Sequence, residues 1–499
     1  MCAGDGCRTL GGMADEDRRP SALAARSGLP PSADVVVGGG VRRRDRPNIR
    51  KDLESTVSGP VWWPDDSGIE AETAGFNTAV RHRPAVVIGA TSATDVAAAV
   101  HYAERLGLPV GVHATGHGGV PSEAAVLVTT RRMSRFTVDA AARQVTVQAG
   151  VTWGSVIRAA AGYGLAPLSG SSSHTGAVGY TVCGGVGLLV RRFGFAADHV
   201  RSLELVTADG RIRTVDADHE PDLFWAVRGG KSNFGIVTNL TMDLMPMARF
   251  YGGAISYPGR YAASVLHRYR EWVSTLGEDT TTSVALRRVP DLPSVPPQLR
   301  GTYTVDLRVA HLGAAADGER LLAPMRAAAP MVADRVRDMP FDDADSVHDD
   351  PTDPRPGWGR GVFLRELPSG AVDALLAAAG PDRNAPLAMV EVRHLGGAAG
   401  RPAASPNAAT GRAAGFVVGV IGPYPPPLRE VVPAAGQRVL DALAPWTAEE
   451  IPIQFPHPLS TAHDVDRVWA PATYRRLLLI KRRYDPENRF AIGNVVLTP

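Results

Sequence analysis

One stretch limits what this chain can fold into more than any other. Pro84-Ala-Val-Val-Ile88 reads as a short apolar strand. Ser92-Ala-Thr-Asp95 forms a capping box, with Asp where Glu is usual, and opens a helix running to about Arg105. Val96, Val100, Ala103 and Leu106 share one face of it. Gly107-Leu-Pro ends the helix, and Val110-Gly-Val-His113 is the next strand. This β-α-β unit commits the first half of the chain to a sheet with a helix packed on it. The second strand runs into a glycine loop, residues 114–119, with His117 between glycines. From the residues alone, His117 is either a turn histidine or an imidazole left bare for a ligand.

A second small-residue tract, SGSSSHTGAVGYTVCGGVG, occupies residues 169–187 and runs into strand-like Ala177–Val182. Glycine clusters let backbone N–H groups approach a ligand closely and make anion-binding concavities. Two such loops in one half of a chain suit a pyrophosphate held without Lys or Arg; the alternative is two flexible loops. No GxGxxG lies between a strand and a helix, so a Rossmann dinucleotide site is not expected. The P-loop pattern is absent, and Gly38-Gly39-Gly40 lacks the strand–glycine–helix context. Ser173-His174 beside Ser171 and Ser172 does not make a hydrolase, because no G-x-S-x-G elbow is present and no Asp is placed to orient the His. His101, His113 and His117 lack metal-site spacing with carboxylates, so no metal is expected.

Composition sets the outer limits. The chain has 499 residues, 44% of them apolar, and a formal net charge of +2. That suits two or three packed units and calls for neither nucleic acid nor a membrane surface. Cys2, Cys7 and Cys183 are too few for a disulfide framework, which points to a reducing compartment. With no signal-peptide pattern and no membrane-length apolar run, a cytoplasmic location is expected. Residues 1–54, rich in Arg, Gly, Asp, Ser and Pro, read as a disordered tail.

Further on, Phe136–Asp139 with Gln144–Gln148, and Leu203–Thr207 with Arg211–Val215, read as hairpins. Trp153–Ala161 and Asp222–Val227 read as helices, and Phe234–Met242 as a strand. After Pro246, strands (254–257, 303–309, 388–394, 415–421) mix with Ala-rich helices (261–276, 318–328, 371–379, 433–442), as in an α+β unit with one sheet. A basic helix, Ala472–Arg483, closes the chain.

HRPAVVIGATSATDVAAAVHYAERLGLPVGVHATGHGG resembles the start of the FAD domain of the vanillyl-alcohol oxidase (PCMH-type FAD-binding) superfamily, in its berberine-bridge-enzyme-like branch. GYTVCGGVGLLVRRFGFAADHV (179–200), LVTADGRIRTV (205–215), DLFWAVRGGKSNFGIVT (222–238), VEVRHLGGA (390–398) and ATYRRLLLIKRRYDPENRF (472–490) carry the resemblance onward in family order. It implies an α+β fold: an FAD-binding domain at 55–247, a substrate domain at 248–464 whose large antiparallel sheet covers the flavin, and a segment, 465–499, returning to the FAD domain. It implies an FAD-dependent oxidase taking hydride from an alcohol, amine or activated C–H of a small natural-product-type molecule, with dioxygen as acceptor. A dehydrogenase, an oxidative cyclase and a flavin-binding protein without turnover are the alternatives.

The family attaches flavin through a His closing a Gly-Gly-His motif. Thr115-Gly116-His117 occupies that place, and Gly118 follows. Many relatives add a second link through Cys in a Gly-x-Cys stretch. Here Gly170-Ser171-Ser172 puts Ser172 at that position, so a single covalent link is expected. Thr175 stands where the family lines the reactive edge of the flavin. Gly176, Gly179, Tyr180, Gly184 and Gly185 continue the cofactor tract, while Cys183 is taken as a small core residue. Arg228-Gly-Gly-Lys-Ser-Asn233 replaces two family glycines with Lys231 and Ser232. Asn233, Gly235, Ile236 and Val237 are expected near the adenine side. The sugar-oxidising relatives' Tyr base is missing from Pro452-Ile-Gln-Phe455. Alternation on the strand Val390–His394 puts Glu391 and Arg393 on one face, which makes Glu391 either a base with a raised pKa or a solvated strand charge. His457, Tyr424 and Trp469 are further pocket candidates, and Arg475 and Lys481 are expected at the surface or in interdomain contacts.

Overall fold

The computed structural model describes residues 46–499, except 294, 296, 454–464 and 494. Strands β1 (Val61–Trp62), β2 (Val86–Gly89), β3 (Val110–His113) and β4 (Val126–Thr129) form a sheet in the order β1-β2-β4-β3. β4 pairs in parallel with both β2 and β3. Val86, Val87, Ile88, Val126, Leu127 and Val128 are all fully buried. Unbroken apolar runs are what parallel strands covered on both faces require. The helix Ala93–Leu106 makes the crossover and ends on Gly107 in the left-handed region. Its cap is half the expected box. Ser92 accepts the Asp95 N–H, but the Asp95 carboxylate accepts from the backbone of Ser58 and Thr91 instead.

A second, antiparallel sheet runs β5-β6-β10-β8-β9: β5 (Phe136–Asp139), β6 (Gln144–Gln148), β8 (Val200–Val206), β9 (Ile212–Val215) and β10 (Ile236–Asp243). β7 (Leu165–Ala166) pairs with β11 (Met245–Pro246) outside it. The helices Trp153–Ala161 and Pro221–Gly230 pack in the core beneath this sheet. Ala177–Val182, expected as a strand, is a helix. Its buried residues are Ala177, Val178, Thr181 and Val182, a helical spacing rather than an alternation.

Eight strands make the largest sheet. Its order is β15-β12-β14-β13-β18-β19-β17, with β16 beside β12: β12 (Arg249–Pro258), β13 (Thr280–Arg288), β14 (Tyr303–His311), β15 (Ala333–Asp334), β16 (Arg337–Pro340), β17 (Gly357–Leu364), β18 (Met389–His394) and β19 (Phe416–Pro423). Side chains alternate across it. Val284, Leu286, Val305, Leu307, Val309, Val390 and Val392 join one apolar cluster with the helices Ala262–Val273, Ala315–Arg326, Ser369–Ala379 and Val431–Leu443. The residues between them, Ser283, Asp306, Arg308 and Glu391, are also buried, so the opposite face is polar and covered. Such a face is the informative exception to apolar burial.

The last helix, Pro471–Tyr484, packs on Pro221–Gly230. Lys481, expected at the surface or in interdomain contacts, is fully buried there. It donates to Asn233 O at 2.9 Å and to Asp485 Oδ2 at 2.6 Å. Arg475 is exposed. Beyond the helix, Arg489 O accepts from Val110 N and closes the chain's end onto the first sheet.

Candidate active site

The two glycine tracts meet. Thr115 packs against Gly176, with its side chain 3.7 Å from where a Cβ would stand. The 114–119 loop is pinned to the segment before the first sheet: Phe76 N donates to Thr115 O at 2.9 Å, and Asn77 N to Gly116 O at 3.3 Å. Gly116 has φ +72, and a Cβ there would stand 2.5 Å from Gly75 Cα, so only glycine fits. His117 is half-buried and stacks on Phe76, centroids 4.1 Å apart and planes 7° apart. Burial, reinforced by His174 and opposed by Asp350, brings its pKa down to about 4. At neutral pH the imidazole is therefore uncharged, the form that acts as a nucleophile.

The second tract divides into two kinds of glycine. A Cβ on Gly170 or Gly185 would strike the Tyr180 ring, and one on Gly187 would strike Ser169 O. These serve packing of the chain on itself. Gly179 here, like Gly118 in the first loop, faces open space, so its backbone is accessible to a ligand. Gly184, with φ +103, donates its N–H to Thr181 O at 2.9 Å. Tyr180 packs edge-on against Trp153, and its hydroxyl is buried with no hydrogen-bond partner. Ser172 and Thr175 are half-buried, and Thr175 N donates to Ser172 O. Cys183, expected in the core, is only partly buried and donates to Gly179 O. On the loop that follows Arg228, Asn233 bonds Gly230 O, Val495 O and Leu497 N, tying the loop to the chain's end. A Cβ on Gly235 would stand 2.5 Å from Val206 O, so its smallness serves strand packing. Ile236 and Val237 are buried in β10.

The polar face of the large sheet looks onto this tract. Arg393 reaches Ser171 Oγ at 3.4 Å. The segment between β16 and β17 bridges the rest: Ser171 Oγ donates to Asp350 at 2.6 Å, and Ser173 N donates to Asp345 at 3.0 Å. Glu391 sits at the centre of the face. It accepts from Ser283 Oγ at 2.7 Å, Arg308 at 2.5 Å and Arg393 Nε at 2.7 Å. Of the two readings of this group, a base with a raised pKa or a solvated strand charge, neither holds: it is buried and its pKa is lowered. Burial opposes its charge, but Arg393 and Arg308 outweigh burial and hold the carboxyl well below its ordinary value. A carboxylate so paired is a poor proton acceptor. The pocket candidates Trp469 and Tyr424 lie elsewhere. Trp469 is buried with Nε1 on Ala408 O, and Tyr424 packs toward the helices behind the sheet. His457 and Phe455 lie outside the described residues.

Sequence reading did not single out Asp345, His348, Asp350, Ser283 or Arg308. A signal for Arg308 exists: Tyr303–His311 alternates Val305, Leu307 and Val309 with Asp306 and Arg308. Nothing in Asp342–Asp350 marks His348.

These features suit a flavin dinucleotide: glycines open to a ligand, an orphaned buried tyrosine hydroxyl, a neutral, half-buried imidazole and a polar sheet face opposite. The chain is an FAD-linked oxidoreductase with the PCMH-type fold of the vanillyl-alcohol oxidase flavoproteins. Residues 84–216 match the FAD binding domain family. The (R)-6-hydroxynicotine oxidase of Paenarthrobacter nicotinovorans is 28% identical over 87% of this chain and 96% of its own length. Among solved structures, 6-hydroxy-D-nicotine oxidase from Arthrobacter nicotinovorans superposes with a TM-score of 0.74 at 25% identity, covering 88% of this chain and 98% of that one. Berberine-bridge-enzyme-like 1 from Physcomitrella patens shares the fold, with a TM-score of 0.76 at 17% identity over 89% and 97%. Among the described residues, no helix is long and apolar enough to cross a membrane.

Proposed function

We propose that FAD lies between the glycine tracts and the polar sheet face, bonded once, to His117, and that the protein oxidises a small alcohol, amine or activated C–H with dioxygen as final acceptor. In this reading residues 55–247 and 465–499 hold the cofactor, and residues 248–464 supply the covering sheet. The observation that carries it is the convergence of neutral His117, the 169–187 tract and the Glu391–Arg393 face on one place.

Thr115, Gly116, Gly118, Ser172, Gly176, Gly179, Tyr180, Gly184 and Gly185 would hold the ring and pyrophosphate end. Asn233, Gly235, Ile236 and Val237 would hold the adenine side. Bound there, FAD supplies the redox chemistry, taking a hydride from the substrate and passing electrons to dioxygen to give peroxide. The protein's part is geometry and electrostatics. His117 offers an uncharged nitrogen, Ser172 offers no thiolate for a second bond, and Thr175 keeps the edge beside Ser172 small. Arg393, held by Glu391, orients the substrate's polar group. The nicotine-oxidising relatives make a cyclic amine the first compound to try, beside a sugar and an aryl alcohol.

The test is acid denaturation of the purified protein. Yellow colour should stay with the polypeptide in the wild type and leave in His117→Ala. Peroxide release should then identify a substrate among the compounds above. Colour that leaves in both rejects the covalent link, and a protein without flavin rejects the whole reading.

A further inference from the structure

A cleft opens between the segment 186–190 and the polar face of β13, β14 and β18, lined by Ser283, Arg308, His348 and Arg393. His348 is the one of these four with no hydrogen bond from its side chain. Its ring is 6% exposed, yet neither ring nitrogen meets a partner at hydrogen-bonding geometry. The approach of Nε2 to Glu391 Oε1 is long, at 3.4 Å. Its backbone is nonetheless held firmly: His348 O accepts from Arg308, and Asp345 and Asp350 on either side are bonded to Ser173 and Ser171. A buried polar ring without partners is costly in a core that serves only packing. Facing a cleft, it is an acceptor open to a donor.

We propose that His348 takes the proton of the substrate's O–H or N–H, and that Glu391 with its two arginines positions it instead of acting as the base. The inference rests on the oxidase reading above. The O–H or N–H bond breaks, its proton forms an N–H bond on the imidazole, and its electron pair becomes the second bond to carbon. The carbon's hydrogen leaves with its electron pair to the oxidant already named, so the substrate loses two electrons and two hydrogens in all. The charged groups facing His348 are Arg308 and Arg393 from β14 and β18, against Glu391. Burial first, then Arg308, lower its pKa, and Glu391 pulls the other way. The free ring is thus neutral at physiological pH. Glu391 close to Nε2 stabilises the imidazolium once the proton arrives.

The experiment uses holoprotein with ¹³Cε1-labelled histidine, the His348 resonance being identified by its loss in His348→Gln. Benzyl alcohol and benzylamine, as O–H and N–H donors, should move that resonance, and its titration should lie below the ordinary histidine range. With a substrate from the peroxide screen, the acid limb of kcat/KM should vanish in His348→Gln. The rate constant should fall about 10²–10⁴-fold while flavin content, absorbance and melting temperature hold. His348→Asn repeats the measurement should the glutamine variant fold poorly. An acid limb that survives in both variants, or a resonance that neither donor moves, overturns the proposal. If no compound turns over, the oxidase reading has failed, and the resonance shift alone decides whether His348 accepts a donor in the cleft.

Discussion

Glu391 and His117 show how environment assigns a role to a side chain. Glu391 was legible as a polar residue sharing a strand face with Arg393, but whether it would be a base depended also on Arg308, 83 residues away in sequence. Arg308 and Arg393 turn it into a fixed anion. Glu391→Gln leaves two arginines without their counter-charge and should lower unfolding free energy by about 3–5 kcal/mol, read from urea melts. The same group gives a signed pH effect. Its folded pKa is depressed, so its stabilisation is complete above the ordinary value of 4.5 and is lost only as pH falls well below it. Acid melts of the wild type and Glu391→Gln should therefore converge at the lowest pH. Ser172 carries a different expectation. In a His117→Ala background, Ser172→Cys should restore acid-stable yellow colour by offering a thiolate at the family's second attachment position. A colourless polypeptide from the double variant would place that position elsewhere.

Among elements, the strands and helices with clean periods were the readable ones. Gln144–Gln148 and Trp153–Ala161 match their sequence bounds, because one alternates and the other carries a helical stripe. Ala177–Val182 misled because small, β-branched and aromatic residues look strand-like until the spacing of the buried ones is known. β13 and β17 went unread in a region crowded with Pro and Gly. The basic terminal helix concealed Lys481, since burial of a lysine depends on an acceptor set assembled from Asn233, Asp485 and Phe490. Lys481→Met strands the Asp485 carboxylate, which also accepts from Arg489 N and Phe490 N. The loss expected is about 3–5 kcal/mol, seen as a lower melting temperature. On the large sheet, Leu307→Ala empties a site under the helices and should cost about 2–5 kcal/mol by the same measurement.

At the scale of the molecule, burial of neutral histidines sets the response to acid. Burial lowers the pKa of His82 to about 4, with His113 beside it contributing, and that of His394 to about 3, with Arg191 contributing. His113, His311 and His348 are lowered for the same first reason. The unfolded chain binds these protons from about pH 6.5 downward and the folded chain does not, so stability falls as pH drops from there toward 4. Thermal melts across that window should show the fall, and His82→Phe together with His394→Phe should flatten it. A melting temperature constant between pH 6.5 and 4 would contradict this account of the core.

The segment between β16 and β17 has a consequence for how such a protein changes over generations. It touches the serine tract through Asp345 and Asp350, the sheet through His348 O, and the Phe76 behind His117 through Arg355 N. Asn77 clamps its far end with two bonds to Gly357. Everything it touches is anchored independently, in a glycine cradle or an eight-stranded wall. On the reading proposed above, redrawing this one ribbon around His348 would reshape the room in which small molecules are received and leave walls and floor standing. A lineage that keeps His348 can acquire a new diet by editing the rest of this short passage, and the passage to compare first between sister enzymes is this one.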